Sequence, residues 1–301
     1  MAIAVPPLTR KPRGLLQYLA FVLLCFIWGS TWLFIKIGYG NLGPFNAAAV
    51  RFIAAGAILV VLVPILRAPW PRGRKEWLLV LWVGVLVFGI DYGCVYWAEV
   101  RLDSGLTAII FAVLPVMTSV AAHFYLESER LTARKLIGTI TAFAGVAALL
   151  ADRFSIDVSQ IWAILAVLGG VSGAVAGTLA MKRYGSSLHP AALNAVAMLI
   201  GAAFLLVAAV ISGERLQLPA DPATWGAVLY LAIAGSVVAF LSYFWLLKTW
   251  TATALSFINV FTPVVAVALG FAFRGERLTP WAGVGGVLIL GGVLLAMWKR
   301  E

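Results

Sequence analysis

The sequence has 301 residues, of which 63% are hydrophobic and 11% charged, and its formal net charge is +10. A soluble domain carries roughly 25% charged residues, so this composition excludes a water-exposed globular surface of matching size. The basic residues stand in short loops between apolar stretches and form no stripe with interleaved aromatic residues, which argues against a nucleic-acid partner. The composition therefore predicts an all-α integral membrane protein.

Ten apolar stretches approach the roughly 20 residues that a helix needs to cross a bilayer. In chain order they cover residues 16–38, 44–66, 76–98, 103–126, 133–151, 159–183, 189–212, 222–247, 250–273 and 279–298. Turn-forming sequence separates them, as at Gly40-Asn41-Leu42-Gly43-Pro44. The first stretch is too long for a signal peptide and has no small-residue cleavage site, so we expect a retained helix.

The lysines and arginines of the short loops predict the orientation of the chain. With ten spans, fifteen of them fall on the side of the two termini, whereas the other side holds five, with Lys36 at a helix end. Basic loops face the cytoplasm. We therefore expect both termini to be cytoplasmic, with residues 1–15 as a cytoplasmic tail.

The two halves of the sequence align at a shift near 147 residues. Pro115 then matches Pro263, and Glu129-Arg130-Leu131-Thr132 matches Glu276-Arg277-Leu278-Thr279. Five spans in each half force the second half to enter the membrane in the opposite sense. The alignment predicts a first repeat at residues 16–152 and an inverted second repeat at 153–301. Inverted repeats are typical of secondary transporters, whose substrate sites lie near the bilayer midplane.

Several motifs occur in the order that one transporter family has them. They are Trp28-Gly29-Ser30-Thr31-Trp32 before Lys36, Arg51-Phe52, Pro115, Glu129-Arg130-Leu131-Thr132, Gly138 and Gly145, with Pro263, Glu276-Arg277-Leu278-Thr279 and Gly283 in the second half. Together they resemble the drug/metabolite transporter superfamily, specifically its ten-helix EamA-type exporters. The sixth and seventh stretches depart from the pattern, because Ser172 to Thr178 lacks the Trp-Gly start and no arginine follows Pro190 at the position equivalent to Arg51.

The resemblance implies a bacterial inner-membrane exporter of small metabolites that works by alternating access. It is similar in particular to amino-acid exporters, including those for aromatic amino acids. Export of drugs or of nucleoside- and purine-type metabolites is the alternative within the family.

Ionisable residues at membrane depth are functional candidates because their burial in lipid is costly. Asp91 lies past the middle of the third stretch, where a carboxylate would attract an ammonium group or exchange a proton. A structural carboxylate that pairs with Arg51 or faces water on the outer side is the competing interpretation. Arg51 itself lies about two turns inside the second stretch, and its place in a family motif favours a structural or gating role over substrate contact.

Aromatic and polar side chains at helical spacing predict the wall of a cavity. Tyr92 and Tyr96 share a face of the third stretch, Phe240 and Tyr243 lie in the eighth, and Trp28 in the first. Ordinary aromatic packing is the alternative. The predicted substrate-binding residues are Trp28, Asp91, Tyr92, Tyr96, Phe240, Tyr243, Ser256 and Asn259.

A second group of residues is predicted to act in gating or structure. Pro115 and Pro263 take equivalent places in the two halves, where proline interrupts helical hydrogen bonding and favours a bend. The paired Glu129 and Glu276 belong to the same group. The repeat predicts that the third, fourth, eighth and ninth stretches surround a central cavity.

Membrane enzymes and receptors or scaffolds are the competing classes of protein. The sequence has no GxSxG or HExxH motif and only two histidines, while the loops are too short for a sensory domain. A P-loop motif is also absent, so a gradient must supply the energy for transport. We expect no cofactor and no metal, a small-molecule substrate and the bilayer as partners, and a monomer or a homodimer.

Overall fold

The computed structural model describes residues 14–102, 104–149, 160–274 and 280–297. Within these ranges all regular secondary structure is helical. Glu276, one of the predicted gating residues, lies outside the described residues.

The helices follow the apolar stretches of the sequence. In the first half they are α1 (Leu15–Tyr39), α2 (Pro44–Ile65), α3 (Gly73–Val83), α4 (Tyr92–Glu99), α5 (Ser104–Phe111), α6 (Leu114–Tyr125) and α7 (Ala133–Leu149). In the second half they are α8 (Ile161–Tyr184), α9 (Pro190–Ile211), α10 (Pro222–Ala232), α11 (Ala239–Leu247), α12 (Ala252–Ser256), α13 (Ile258–Arg274) and α14 (Pro280–Met297). Two π-helical segments, Gly84–Asp91 and Ile233–Val238, join α3 to α4 and α10 to α11.

Seven helical stretches in the described ranges are long and apolar enough to cross a membrane. They are Leu15–Tyr39, Pro44–Ile65, Gly73–Glu99, Leu106–Tyr125, Ile161–Tyr184, Pro190–Ile211 and Pro222–Leu247. Large apolar side chains cover the outside of the bundle, with Phe124 83% and Ile211 81% exposed. The protein is therefore a multi-pass membrane protein, as the composition predicted. α7, α14 and the α12–α13 pair are shorter or interrupted.

Helices at equivalent places in the two halves pack against each other. α2 lies along α9, and α7 lies along α14. The first π segment and α4 contact α8, while α10 and α11 contact α1 in the matching arrangement. Each half thus contacts the other half through equivalent helices, which is the packing that a two-fold relation between the halves produces.

Glycines allow α7 and α14 to approach until their backbones touch. A Cβ atom built on Gly145 would lie 2.7 Å from the Ile289 amide nitrogen. One built on Gly138 would lie 2.6 Å from both the Ala296 nitrogen and the Gly292 carbonyl oxygen. Small residues at such interfaces replace the hydrophobic driving force that lipid removes.

A second glycine row, Gly169, Gly173 and Gly177, lies on α8. A Cβ at Gly173 would lie 2.8 Å from the Leu86 carbonyl oxygen of the first π segment, and one at Gly177 would clash with Val87. Gly169 meets nothing within 4 Å. The row therefore positions α8 against the third stretch of the same chain.

Charged side chains from one part of the chain cap helices in another. The Glu129 carboxylate accepts hydrogen bonds from the backbone nitrogens of Ala252 (2.7 Å) and Thr253 (3.1 Å), at the start of α12. The Lys182 ammonium donates to the carbonyl oxygens of Leu247 and Trp250, both at 2.6 Å. An anion at a helix N-terminus and a cation at a helix C-terminus both stabilise the helix dipole. Glu129 thus links the two halves, whereas its gating role stays a prediction.

The two prolines stand in different local structures. Pro115 is in the first turn of α6, directly after a helix break at Ala112 and Val113. Pro263 lies inside α13, and the break there comes earlier, at Phe257. Pro263 has no N–H to donate to the Asn259 carbonyl oxygen. The Thr262 hydroxyl donates to that oxygen instead, at 3.1 Å. The equivalent prolines therefore do not produce equivalent breaks.

Candidate functional site

A cavity in the middle of the bundle brings most of the predicted substrate-binding residues together. Its volume is about 90 Å³, which holds several water molecules. Six of the eight predicted residues line it, namely Trp28, Asp91, Tyr92, Phe240, Tyr243 and Asn259. Pockets for drug-sized ligands measure roughly 300–1,000 Å³, so an organic substrate enters only if the walls move apart.

The cavity has an aromatic wall built from three stretches of the sequence. The ring of Trp28 on α1 lies 5.4 Å, centre to centre, from both Phe240 and Tyr243 on α11. Phe240 in turn lies 6.1 Å from Tyr92 at the start of α4. These separations are those of interacting aromatic pairs. The wall presents ring faces that attract apolar groups and cations alike.

Asp91 is the one carboxylate among the described residues that line the cavity. It ends the first π segment and is only 4% exposed. Its Oδ1 atom is buried without a hydrogen-bond partner among the described residues. Gly170 on α8 makes room for it, because a Cβ there would lie 3.1 Å from the same Oδ1 atom. The Asp91 Oδ1 atom is therefore a buried acceptor beside the cavity that no donor in the described part of the chain satisfies.

Arg51 does not pair with Asp91 but connects α2 to the second π segment and to α4. Its Nε donates to the Ser236 hydroxyl at 2.9 Å, and one terminal nitrogen donates to the Gly235 carbonyl oxygen at 3.1 Å. The other terminal nitrogen donates to the Tyr96 hydroxyl at 3.3 Å. The guanidinium carbon also lies 4.8 Å from the centre of the Tyr92 ring, behind the cavity wall. The alternative of an Arg51–Asp91 ion pair is thus wrong.

Arg51→Lys is expected to lower the free energy of unfolding by about 1–3 kcal/mol, because the donors of one ammonium nitrogen cannot reach all three acceptors that the guanidinium spans, and some are left unsatisfied. Thermal unfolding in detergent measures the loss. Arg101→Lys is the matched control, since that side chain is exposed and stacks on Trp97 at 3.9 Å. Equal melting temperatures for the two variants would refute the role of the arginine fork.

Two predicted residues do not line the cavity. Tyr96 is 1% exposed, with its hydroxyl at Arg51 and its carbonyl oxygen accepting from the Tyr39 hydroxyl at 2.8 Å. Ser256 is also buried, and its hydroxyl donates to the Thr253 carbonyl oxygen at 2.7 Å. The Tyr96 side chain thus connects α4 to Arg51 on α2, whereas the Ser256 hydroxyl bonds within α12. Contact of either side chain with substrate stays a prediction.

The π segments give the site its geometry. The Gly235 carbonyl oxygen, in the second segment, accepts from Arg51 and from the Trp28 indole nitrogen at 3.4 Å. The Ser236 hydroxyl bonds back to the Leu231 carbonyl oxygen, five residues earlier, at 2.9 Å. Single π turns within α-helices are frequent at functional sites. The two segments take equivalent places in the two halves and flank the same cavity.

Several cavity residues escaped the sequence analysis. On α1 the wall includes Thr31, Trp32 and Ile35, which follow Trp28 at helical spacing, so periodicity from Trp28 would have found them. Thr178 on α8 lies 3.3 Å, oxygen to oxygen, from the Tyr243 hydroxyl, and no signal in the sequence singled it out. α1 and α8 thus join the four stretches that were expected to surround the cavity. The described residues contain no cluster of three or more His, Cys, Asp or Glu side chains placed to bind a metal ion.

Comparison with known proteins finds similarity to membrane transporters over nearly the whole chain. The model of the EamA-like transporter family matches residues 15–151 and 160–298. YedA of Escherichia coli strain K12, an uncharacterized inner membrane transporter, is 31% identical across 93% of this chain and 90% of its own length. An uncharacterized transporter of Archaeoglobus fulgidus is 27% identical across 94% of this chain and 98% of its own. A crystal structure that is 20% identical shares the fold, with a TM-score of 0.76 over 93% of this chain and 96% of that chain.

Proposed function

This chain belongs to the EamA-like transporter family, whose members are transporters rather than enzymes, and we propose that it exports small metabolites that carry an amine and an apolar body. Amino acids with apolar or aromatic side chains are the first candidates. The observation that carries this proposal is the position of Asp91, a buried carboxylate with an unpartnered oxygen at the cavity. An ammonium group would satisfy that oxygen and neutralise the buried charge.

The aromatic wall supports an apolar substrate body. Trp28, Tyr92 and Phe240 surround the cavity on the side of α1 and α11, where they provide ring faces and exclude water. Apolar walls with a few well-placed polar groups are the usual composition of small-molecule sites. The Asn259 side chain and the Thr178 hydroxyl supply further polar groups at the cavity.

The proposed mechanism is alternating access between two inverted halves of five spans each, with both termini in the cytoplasm of a bacterial cell. It is supported by the reciprocal packing of equivalent helices and by the excess of basic residues in the loops on the terminal side. The helix breaks before Pro115 and at Phe257 are the points at which the walls of the cavity would bend. Among the described residues Asp91 is the single cavity carboxylate that could exchange a proton. Because a proton-driven exporter usually exposes more than one titratable group to its pathway, the energy is proposed to come from the gradient of the substrate.

The second candidate function is export of organic cations without a carboxylate, such as amphiphilic drugs. One observation favours it: no lysine or arginine is among the described residues that line the cavity, and the Arg51 guanidinium lies behind Tyr92. A zwitterionic amino acid would have to place its carboxylate against hydroxyl and amide groups. Nucleoside- and purine-type metabolites form a third group, whose binding requires neither an ammonium group nor a carboxylate on the substrate.

Counterflow into proteoliposomes tests these candidates. Vesicles are loaded with unlabelled compound and exposed to labelled phenylalanine, glutamate, uridine or tetraphenylphosphonium, with and without a pH gradient. We expect phenylalanine to exchange above the protein-free background and glutamate to remain at it. Exchange of tetraphenylphosphonium alone would establish the organic-cation alternative, and exchange of uridine alone the nucleoside alternative. If none of the four compounds exchanges in either condition, the proposed function is wrong.

A further inference from the structure

A second, larger cavity opens on the side of the bundle between α3, α6 and α8. Its volume is about 900 Å³, and none of its lining residues belongs to the central cavity. Its walls are mostly apolar and include Leu78, Leu79, Trp82, Met117, Val175 and Leu179. We call this cavity the lateral groove.

The lateral groove opens toward lipid. Leu78 and Trp82 on α3 are 52% and 51% exposed. Both lie within the stretch Gly73–Glu99, which is apolar enough to cross the membrane. Hydrocarbon chains are therefore the material that contacts these walls in a bilayer.

The mouth of the lateral groove carries positive charge and tyrosines. Lys75 lines it on α3, and Tyr125 and Tyr184 line it at the ends of α6 and α8. The Arg183 guanidinium lies over both tyrosine rings, at 4.8 Å and 5.4 Å from their centres, and donates to the Tyr125 carbonyl oxygen at 2.9 Å. This is the end of the bundle that the sequence assigns to the cytoplasm.

One acidic residue, Glu76, also lines the mouth. Its two carboxylate oxygens are engaged by the Ser187 hydroxyl at 2.6 Å and the Arg72 backbone nitrogen at 2.5 Å. Both donors are neutral groups, so Glu76 keeps its negative charge. Lys75 and Arg183 carry two positive charges against this one, so the mouth has a net positive charge.

We propose that the lateral groove binds an anionic phospholipid, with an acyl chain against the apolar walls and the phosphate between Lys75 and Arg183. The charge of the mouth complements a phosphate, and basic pockets between spanning helices on the cytoplasmic side are typical sites for anionic headgroups. A transported amine is a poor match, because it needs the acceptor that Asp91 provides and would meet two cations at the mouth. The inference does not depend on the identity of the transported compound.

Native mass spectrometry of the purified full-length protein tests the proposal. The protein is incubated with equal amounts of phosphatidylglycerol and phosphatidylcholine, which differ in headgroup charge, and the retained lipid is counted. We expect a clear preference for phosphatidylglycerol. Each cation near a membrane surface changes lipid affinity about fivefold, so the double variant Lys75→Gln, Arg183→Gln should weaken that preference about 25-fold.

Two further variants separate the groove from general surface charge. The double variant Arg74→Gln, Arg130→Gln removes two exposed cations that do not line the groove, and it should retain the preference. Ala176→Phe fills the groove and should reduce retention of both lipids.

The proposal is overturned if the protein retains the two lipids equally, if the Arg74 and Arg130 control loses the preference to the same extent, or if Ala176→Phe leaves retention unchanged. Displacement of the bound lipid by a transported compound would also overturn it, since the groove would then be a substrate passage. Transport itself is measured separately in proteoliposomes, so failure of lipid binding and failure of the transport proposal are distinguishable.

Discussion

Asp91→Asn is expected to raise the KM for phenylalanine counterflow by at least about 30-fold, with the amount of folded protein unchanged. Truncating one partner of a buried, hydrogen-bonded charge pair costs about 2–5 kcal/mol, and 2 kcal/mol corresponds to about 30-fold in affinity. The protein should fold because Oδ1 makes no hydrogen bond with described residues, so the amide breaks no internal contact. Initial counterflow rates over a range of substrate concentrations measure the effect.

Two comparisons make the Asp91 prediction specific. Glu127→Gln removes an equal charge from an exposed loop position and should leave KM unchanged. Asp91→Glu keeps the carboxylate but pushes it toward Gly170, so we expect partial activity. If the Asn variant transports phenylalanine with the wild-type KM, then Asp91 does not bind the ammonium group. If it loses only the exchange that a pH gradient drives, Asp91 carries a proton and the idea of export down the substrate gradient fails.

Gly292→Ala is expected to destabilise the protein, whereas the adjacent Gly291→Ala should not. A Cβ at Gly292 would collide with the Ala142 amide nitrogen and the Gly138 carbonyl oxygen, which are backbone atoms and cannot rotate away. Overpacking of this kind costs about 1–3 kcal/mol. A Cβ at Gly291 meets nothing within 4 Å, so that variant keeps only the gain in helix propensity.

Melting temperatures in detergent compare the two glycine variants. A loss of 1 kcal/mol lowers the melting temperature of a domain of 150–250 residues by about 2–4 °C, so a shift of a few degrees is expected for Gly292→Ala. Gly145→Ala should behave similarly, because its Cβ would lie 2.7 Å from the Ile289 nitrogen across the same interface. Identical melting temperatures for the Gly291 and Gly292 variants would show that α7 and α14 do not pack backbone to backbone.

The sequence analysis located the cavity better than it explained the residues around it. Trp28, Tyr92 and Phe240 were predicted from aromatic spacing, and they share one wall. Tyr96 was predicted to contact the substrate, and Arg51 was predicted to act in structure or gating. Their side chains nevertheless hydrogen-bond each other behind that wall. The spacing of residues along a helix identifies a face, but which helix covers that face depends on packing.

Hydrogen bonds between segments that are far apart in the chain could not be predicted from the sequence. The π segments bring Ser236 and Gly235 within hydrogen-bond distance of Arg51, some 185 positions earlier in the chain. Thr178 meets Tyr243 because α8 passes beside α11 at this depth. Nothing in the local pattern around these residues differs from an ordinary apolar helix.

The amino-acid sequence by itself determined that this protein is a helical membrane protein of a transporter family. Long apolar stretches in lipid can satisfy their backbone groups as helices without a partner, so their existence follows from local composition. Only the tertiary structure decided which helices meet at the cavity and which predicted side chains, such as Tyr96, pack behind its wall. In a membrane both lipid and protein interior favour apolar side chains, and the contrast that reveals the buried face of a soluble helix is therefore missing. The unpartnered oxygen of Asp91, at a cavity lined by six helical stretches, is the result of that arrangement.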